Sequence, residues 1–389
     1  MNQRLQNGKN AFYVLYLLGF IFTVHMALPA YINSTFLSGY ATERFVGIIY
    51  AVSSVGIIIA LAIIPIFLRR FGNYRVTTFL TFVQILLLLG LAFSKSIFLV
   101  VPIFIISLVA IMLIDFTADI FLESYSNDGE TGSIRGAYLT AKNVAWVISP
   151  MIAGFILTDG DYWKVYLAAA IFMVVVLFLL ISNLKHYEDP EYARVPFWST
   201  LKEVWRNKNI YKIFMANFLL KFFFAWMVIY TPIYLHEHIG FEWSVIGIMF
   251  TIMLLPFALF EMPIGKLADT TWGEKEFLTI GFVIMAFSVG TLAFITDANF
   301  ILWTALLFIT RIGASIVEIM TESYFFKQID ATDANLLGFF RNTYPLAYII
   351  APLFATGILA VIDYRFLFLV LAGVMLLGLR YSLALKDTR

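Results

Sequence analysis

Apolar runs, each about as long as a helix needs to cross the hydrocarbon of a bilayer, recur along the whole chain and leave little room for anything else. They fall near residues 12–36, 45–68, 76–94, 97–122, 135–157 and 163–183, and again near 210–235, 243–265, 277–296, 299–325, 336–359 and 364–384. Twelve spans of about 22 residues consume roughly 264 positions, so most connections in a chain of 389 residues must be short. Composition agrees, since 61% of residues are hydrophobic and 13% charged, against about a quarter charged in an ordinary soluble domain. In lipid, helices satisfy their own backbone groups. The expectation is therefore an all-α polytopic membrane protein with twelve transmembrane helices. The first run is too long for a signal-peptide core and no small-residue cleavage pattern follows it, so it reads as a retained span.

One long polar connection, residues 184–209, holds Lys185, Glu188, Asp189, Glu191, Arg194, Lys202, Glu203, Arg206 and Lys208 together with Pro190 and Pro196. It separates an N-terminal six-helix bundle, 1–183, from a C-terminal one, 210–389. Within it, FWSTLKEVW at 197–205 spaces its aromatics and Leu201 as an interfacial helix would, and a short ordinary loop fits as well. With the N-terminus inside, nineteen Lys and Arg fall on the inner side and four on the outer, namely Arg44, Lys95, Lys164 and Arg365. That asymmetry places both termini in the cytoplasm and the chain in the cell membrane. A net charge of +1 offers no basic surface for nucleic acid, and the absence of cysteine excludes disulfides, thiolate metal sites and cysteine nucleophiles.

The two halves repeat. A shift of 202 aligns Gly136 with Gly338, Ala145 with Ala347, Ile148 with Ile350, Pro150 with Pro352, Ala153 with Ala355, Ile156 with Ile358 and Leu157 with Leu359. A shift of 199 places Glu123, Ser124 and Tyr125 on Glu322, Ser323 and Tyr324, and 203 places Pro29 and Tyr31 on Pro232 and Tyr234. Parallel six-span repeats are the architecture of rocking carriers, with a site near the midplane.

The most specific pattern lies between spans eight and nine: Gly265, Lys266, Leu267, Ala268, Asp269, then Gly273 and Lys275. It resembles the loop motif of the major facilitator superfamily, a glycine, a small residue, an aspartate, a glycine and a base in that order. The resemblance implies two pseudo-symmetric six-helix bundles, secondary transport without a cofactor, and a clasp that holds the cytoplasmic side closed. Gly265 and Gly273 permit a tight turn, and Asp269 can accept from a helix N-terminus. The first-half copy, PIFLRRFGNYR from Pro65 to Arg75, keeps the bases and Gly72 but lacks the aspartate. Span five carries Ala145, Ser149, Pro150, Ala153 and Gly154, similar to the proline motif of drug antiporters with three glycines replaced. That supports tight helix packing more than antiport.

Ionisable residues inside spans are costly and mark candidate sites. Asp115, Asp119 and Glu123 follow a four-residue spacing on one face of span four, and Arg311, Ser315, Glu318 and Glu322 form the matching stripe in span ten. Asp115 and Lys142 can neutralise each other. Glu123, Glu261 and Glu322 sit at inner helix ends, where Arg70, Arg75 and Lys275 are expected partners, so these residues read as a cytoplasmic gate with Gly265, Asp269 and Gly273. Arg311 is either an anchor for a carboxylate or phosphate or a partner for Asp119 or Glu318. Burial penalises the charged form of a carboxylate, so Asp115 and Asp119 are candidates for exchanging a coupling proton. His25, Lys221 and Glu318 complete the candidate substrate and ion-coupling set. Asn143, Trp146, Asn217, Trp226, Tyr230, Asn342, Tyr344 and Tyr348 are the cavity-lining candidates.

The expected function is secondary transport of a small anionic or zwitterionic solute by alternating access, coupled to a proton or cation gradient, with the bilayer as surroundings and a monomer as the working unit. A proton-coupled efflux antiporter is the alternative within the class. An intramembrane enzyme or sensor is the alternative outside it. The chain has no Walker-type loop, and His236, Glu237 and His238 lack the four-residue histidine spacing of a zinc protease helix. No cofactor or metal is expected.

Overall fold

A computed structural model describes residues 2–125, 131–185, 206–270, 273–328, 340 and 342–385. Side chains of residues 2–12, 123, 125, 131–136, 261, 262, 265, 266, 269, 270, 326 and 328 are outside that description. The expected interfacial helix at 197–205 therefore lies outside the described residues, as do the side chains of Glu123, Glu261 and Asp269 and the surroundings of Gly265.

The chain is a succession of helices: α1 (Asn2–Ala30), a short α2 (Asn33–Ser38), α3 (Glu43–Phe71), α4 (Asn73–Phe93), α5 (Ile97–Tyr125), α6 (Thr131–Ile156), α7 (Tyr162–Asn183), α8 (Lys208–Ile233), α9 (Trp243–Thr270), α10 (Glu274–Leu292), α11 (Phe300–Gln328), α12 (Thr343–Ile358) and α13 (Leu367–Leu383). Among the described residues, eleven are long and apolar enough to span a membrane, and α12 is a shorter apolar helix of 16 residues. Helix ends follow local chemistry. The backbone of Ile32 donates to Pro29 O at 3.0 Å, turning the chain out of α1, and the matching Pro232 near the end of α8 leads into a π-helical turn, Tyr234–His238. Gly72, at φ 80°, makes the reversal between α3 and α4 in a region where a side chain would be strained. Asn207 caps α8 by accepting from the backbone N–H of Asn209 and Ile210. Glu43 and Arg44, just before the expected span 45–68, open α3, where Glu43 complements the positive helix end.

Two compact units emerge: Met1–Thr42 with Val52–Arg194, and Glu43–Ala51 with Val195–Arg389. In the first, α1 packs on α5, α6 and α7, and α4 packs on α5 and α7. In the second, α8 packs on α11, α12 and α13, and α10 packs on α11 and α13. These pairings correspond, α1 to α8, α4 to α10, α5 to α11, α6 to α12 and α7 to α13, in keeping with the duplication read from the sequence; in the second unit α9 also packs on α11. Ile64 and Leu68 of α3, Val76 of α4 and Leu113 of α5 form one apolar cluster of the first unit. The second unit buries large rings, among them Phe223, Trp226, Tyr230, Phe282 and Trp303.

Close helix crossings replace area burial as the packing device, as expected where lipid is as apolar as the protein interior. At the α10–α11 crossing, a Cβ on Gly313 would stand 2.7 Å from Gly281 O and 2.9 Å from Met285 N. Both obstacles are backbone, so neither can move aside. Outward-facing rings such as Phe98, 85% exposed, and Phe178, 67% exposed, have a favourable environment only in acyl chains.

Candidate functional site

In the first unit, α5 and α6 bring Asp115 and Lys142 together, with Nζ 2.6 Å from Oδ1. Lys142 Nζ also lies 5.5 Å from the centre of the Tyr138 ring. The pair expected from the sequence is thus formed, with both side chains less than a third exposed. Asn143 and Trp146 follow on the same helix, and Trp146 packs edge-on against Tyr31 at 6.5 Å. Asp119 is half-buried one turn along α5 from Asp115.

His25 occupies a different environment. It is fully buried, its Nδ1 lies 2.6 Å from Phe22 O and its Nε2 lies 3.3 Å from Gln84 Nε2. The carbonyl can only accept and the amide nitrogen can only donate. Nδ1 therefore carries the proton and Nε2 accepts, which makes this the neutral tautomer. Gln84 also exchanges hydrogen bonds with Ser107 at 3.0 and 3.2 Å, so α1, α4 and α5 are joined by one satisfied polar network. Gln84 and Ser107 escaped the sequence reading because neither is charged; a glutamine inside an apolar run was the available signal.

In the second unit, Lys221 of α8 reaches Glu318 of α11, with Nζ 2.6 Å from Oε1. Of the two partners considered for Arg311 from the sequence, Glu318 thus pairs with Lys221. Arg311 is 1% exposed, with its guanidinium carbon 4.8 Å above the Phe223 ring and 5.8 Å above that of Phe224. Lys221 Nζ sits 5.2 Å from the same Phe224 ring. Two cations therefore share the Phe224 ring as a neighbour, and the ring quadrupole offsets part of the cost of burying them. Asn217 donates to Thr343 Oγ1 at 2.8 Å, beside Asn342 at the start of α12. The Tyr344 and Tyr348 rings lie 4.5 Å apart with their planes tilted by 30°. Trp226 and Tyr230 are closed in by Phe222, Phe354 and Tyr364, and the Tyr230 hydroxyl donates to Pro352 O at 3.1 Å.

The outer rim of this unit includes the start of α3. Arg44 Nη2 donates to Leu359 O at 2.8 Å, Thr356 Oγ1 donates to Arg44 O at 3.1 Å, and His238 Nε2 lies 3.2 Å from Glu43 Oε1. Gly47 is the small residue this approach needs, since a Cβ there would meet Tyr230 Oη at 2.7 Å and Pro352 O at 2.8 Å.

The inner rim differs from the expected pairing. Lys327 binds Glu274, which is 2% exposed at the start of α10. Gly273 occupies the cap position of that helix. Arg70 lies over Phe71 at 5.3 Å, Arg75 and Glu322 are exposed, and Lys275 is half-buried. Among the described residues Arg70, Arg75 and Lys275 form no ion pair. Glu274 was missed because, read in sequence, it looks like one more loop charge. Outside the spans, Lys164 holds the exposed Asp159 carboxyl below its ordinary range by a hydrogen bond at 2.5 Å.

Twelve apolar helices in two equivalent sets, carrying paired charges within the spans, define a multi-pass membrane protein of the transporter type. The family model of the Major Facilitator Superfamily matches residues 15–247 and 232–388, and the chain belongs to that family. It is 24% identical over 263 residues to a probable nitrate transporter, NarT, of Staphylococcus epidermidis, a match spanning 65% of each chain. Its fold is similar to crystal structures of the nucleoside transporter NupG. One covers 96% of this chain and 98% of that one at 14% identity with a TM-score of 0.77. A point mutant of NupG covers 96% and 99% at 13% identity with a TM-score of 0.76. Family and fold are those of transporters and not of enzymes.

Proposed function

We propose that this protein is a secondary carrier, located in the cell membrane, of a small anionic or zwitterionic solute, driven by a proton or cation gradient and working as a monomer by alternating access. The observation that carries the reading is the charge set of the second unit: Lys221 on Glu318 at 2.6 Å, beside the buried Arg311, both cations over Phe224. Replacing a buried ion pair with apolar residues is often neutral or stabilising, so its presence is weakly explained by folding alone. An ion pair that exchanges partners explains it better. When Glu318 takes up a proton, Lys221 is released to an oxyanion, and the membrane interior is never asked to hold a lone charge. Arg311 adds a planar fork suited to a carboxylate or a similar planar oxyanion.

Asp115 and Lys142 repeat the device in the first unit, and Asp119 one turn away is a further proton acceptor. A zwitterion would present a carboxylate to Lys221 and an ammonium to a carboxylate. The name of the relative from Staphylococcus epidermidis supports an anion. The likeness to NupG supports the fold. The experiment is flux of labelled solutes in proteoliposomes with and without an imposed pH gradient, screened across nitrate, organic anions, amino acids, nucleosides and lipophilic cations. Gradient-driven accumulation of an anion or zwitterion is expected. Transport confined to lipophilic cations, or no flux of any solute, would overturn the proposal.

A further inference from the structure

The inner turn of the first unit carries Arg69 and Arg70 at the end of α3 and Arg75 in the first turn of α4. All three are exposed. Among the described residues none forms an ion pair with a carboxylate. Along the chain, no Asp or Glu occurs between Glu43 and Asp115. Gly72 reverses the chain at φ 80°, so the three bases border one turn.

An apolar shelf adjoins them. Phe67 and Phe71 stack at 6.4 Å with 21° between their planes, both nearly half exposed, and Ile66 is 57% exposed. Arg70 lies over the Phe71 ring at 5.3 Å. These side chains belong to the last turns of a membrane-spanning helix. A ligand that fits must therefore place an oxyanion at the guanidinium groups and hydrocarbon along the helix.

We propose that this turn is a binding site for an anionic phospholipid, whose phosphodiester is held by Arg69, Arg70 and Arg75 and whose acyl chains lie along Ile66, Phe67 and Phe71. Guanidinium groups bind phosphate oxygens through paired, charge-assisted hydrogen bonds, and each base near an anionic lipid strengthens binding roughly 5-fold. The apolar shelf distinguishes this site from one for free phosphate.

The test is native mass spectrometry of the full chain in neutral detergent, titrated with phosphatidylglycerol, phosphatidylcholine, the soluble headgroup glycerophosphoglycerol and inorganic phosphate. Phosphatidylglycerol is expected to be retained at least 10-fold better than phosphatidylcholine, and neither soluble compound should displace it. The triple variant Arg69→Gln/Arg70→Gln/Arg75→Gln is expected to lose that preference. Each of Arg70→Gln and Arg75→Gln alone should weaken it several-fold, which keeps the test sound if the triple variant folds poorly. Lys95→Gln, in the connection beyond the far end of α4, should leave it unchanged. Equal retention of the two lipids, an unchanged preference in the single Arg variants, or displacement by inorganic phosphate would overturn the proposal.

Discussion

Removing the ammonium of Lys221 tests the exchangeable-pair reading most sharply. Lys221→Met keeps the volume and leaves Glu318 with its charge and no ammonium at 2.6 Å. Breaking one side of a buried pair costs about 3–5 kcal/mol. The side chains of Lys221 and Glu318 are 18% and 24% exposed, so water recovers only part of that. At about 2–4 °C per kcal/mol for a unit of roughly 200 residues, the melting temperature should fall by about 10 °C. The double variant Lys221→Met/Glu318→Gln removes both charges and should return to within about 1 kcal/mol of the parent. Flux, however, should be lost in single and double variants alike. Thermal unfolding of the detergent-purified protein, followed by tryptophan fluorescence, reads the stability. Counterflow in proteoliposomes reads the function. A double variant no more stable than the single, or a single variant with full flux, would rule out an exchangeable pair at Lys221 and Glu318.

Arg311→Lys keeps the charge but not the fork, so half-saturation for an anionic solute should rise by about 10-fold; unchanged affinity would remove Arg311 from the binding site. Asp115→Asn and Asp119→Asn should each diminish accumulation driven by a pH gradient while sparing exchange of solute for solute, and coupling lies elsewhere if both leave accumulation intact. Gly313→Val places a side chain against Gly281 O and Met285 N and should cost about 1–3 kcal/mol in thermal unfolding, whereas a neutral outcome would mean that α10 and α11 separate freely. His25→Gln disturbs a satisfied network and should lower stability by about 1–2 kcal/mol, with the pH response of flux retained. Loss of that response would place proton coupling on α1.

The spans, the duplication and the Asp115–Lys142 pair were legible because each is written in local pattern: hydropathy, a fixed offset, and two charges on helices adjacent in sequence. The choice of Glu318 by Lys221 was not, since the two are 97 residues apart and meet only through the packing of α8 on α11. Arg311 was recognised as costly, but its placement over Phe223 and Phe224 is invisible in a chain with 40 phenylalanines. Hydropathy favours charge over uncharged polarity, and for that reason the His25, Gln84 and Ser107 network went unread. The start of α3 lies two residues before the expected 45 for a related reason. Glu43 and Arg44 look like loop residues until their partners His238 and Leu359 O are known. Gly281 and Gly313 carry no signal by themselves; only the crossing of their helices shows why neither has a side chain.

In the proposed cycle, substrate and Glu318 compete for one ammonium, that of Lys221. Transient currents on a supported membrane, recorded when an accepted anionic solute is applied at pH 6 and at pH 8, measure that competition directly. A proton-linked current is expected in the parent and should vanish in Lys221→Met/Glu318→Gln. A current of equal size and equal pH dependence in that double variant would contradict it.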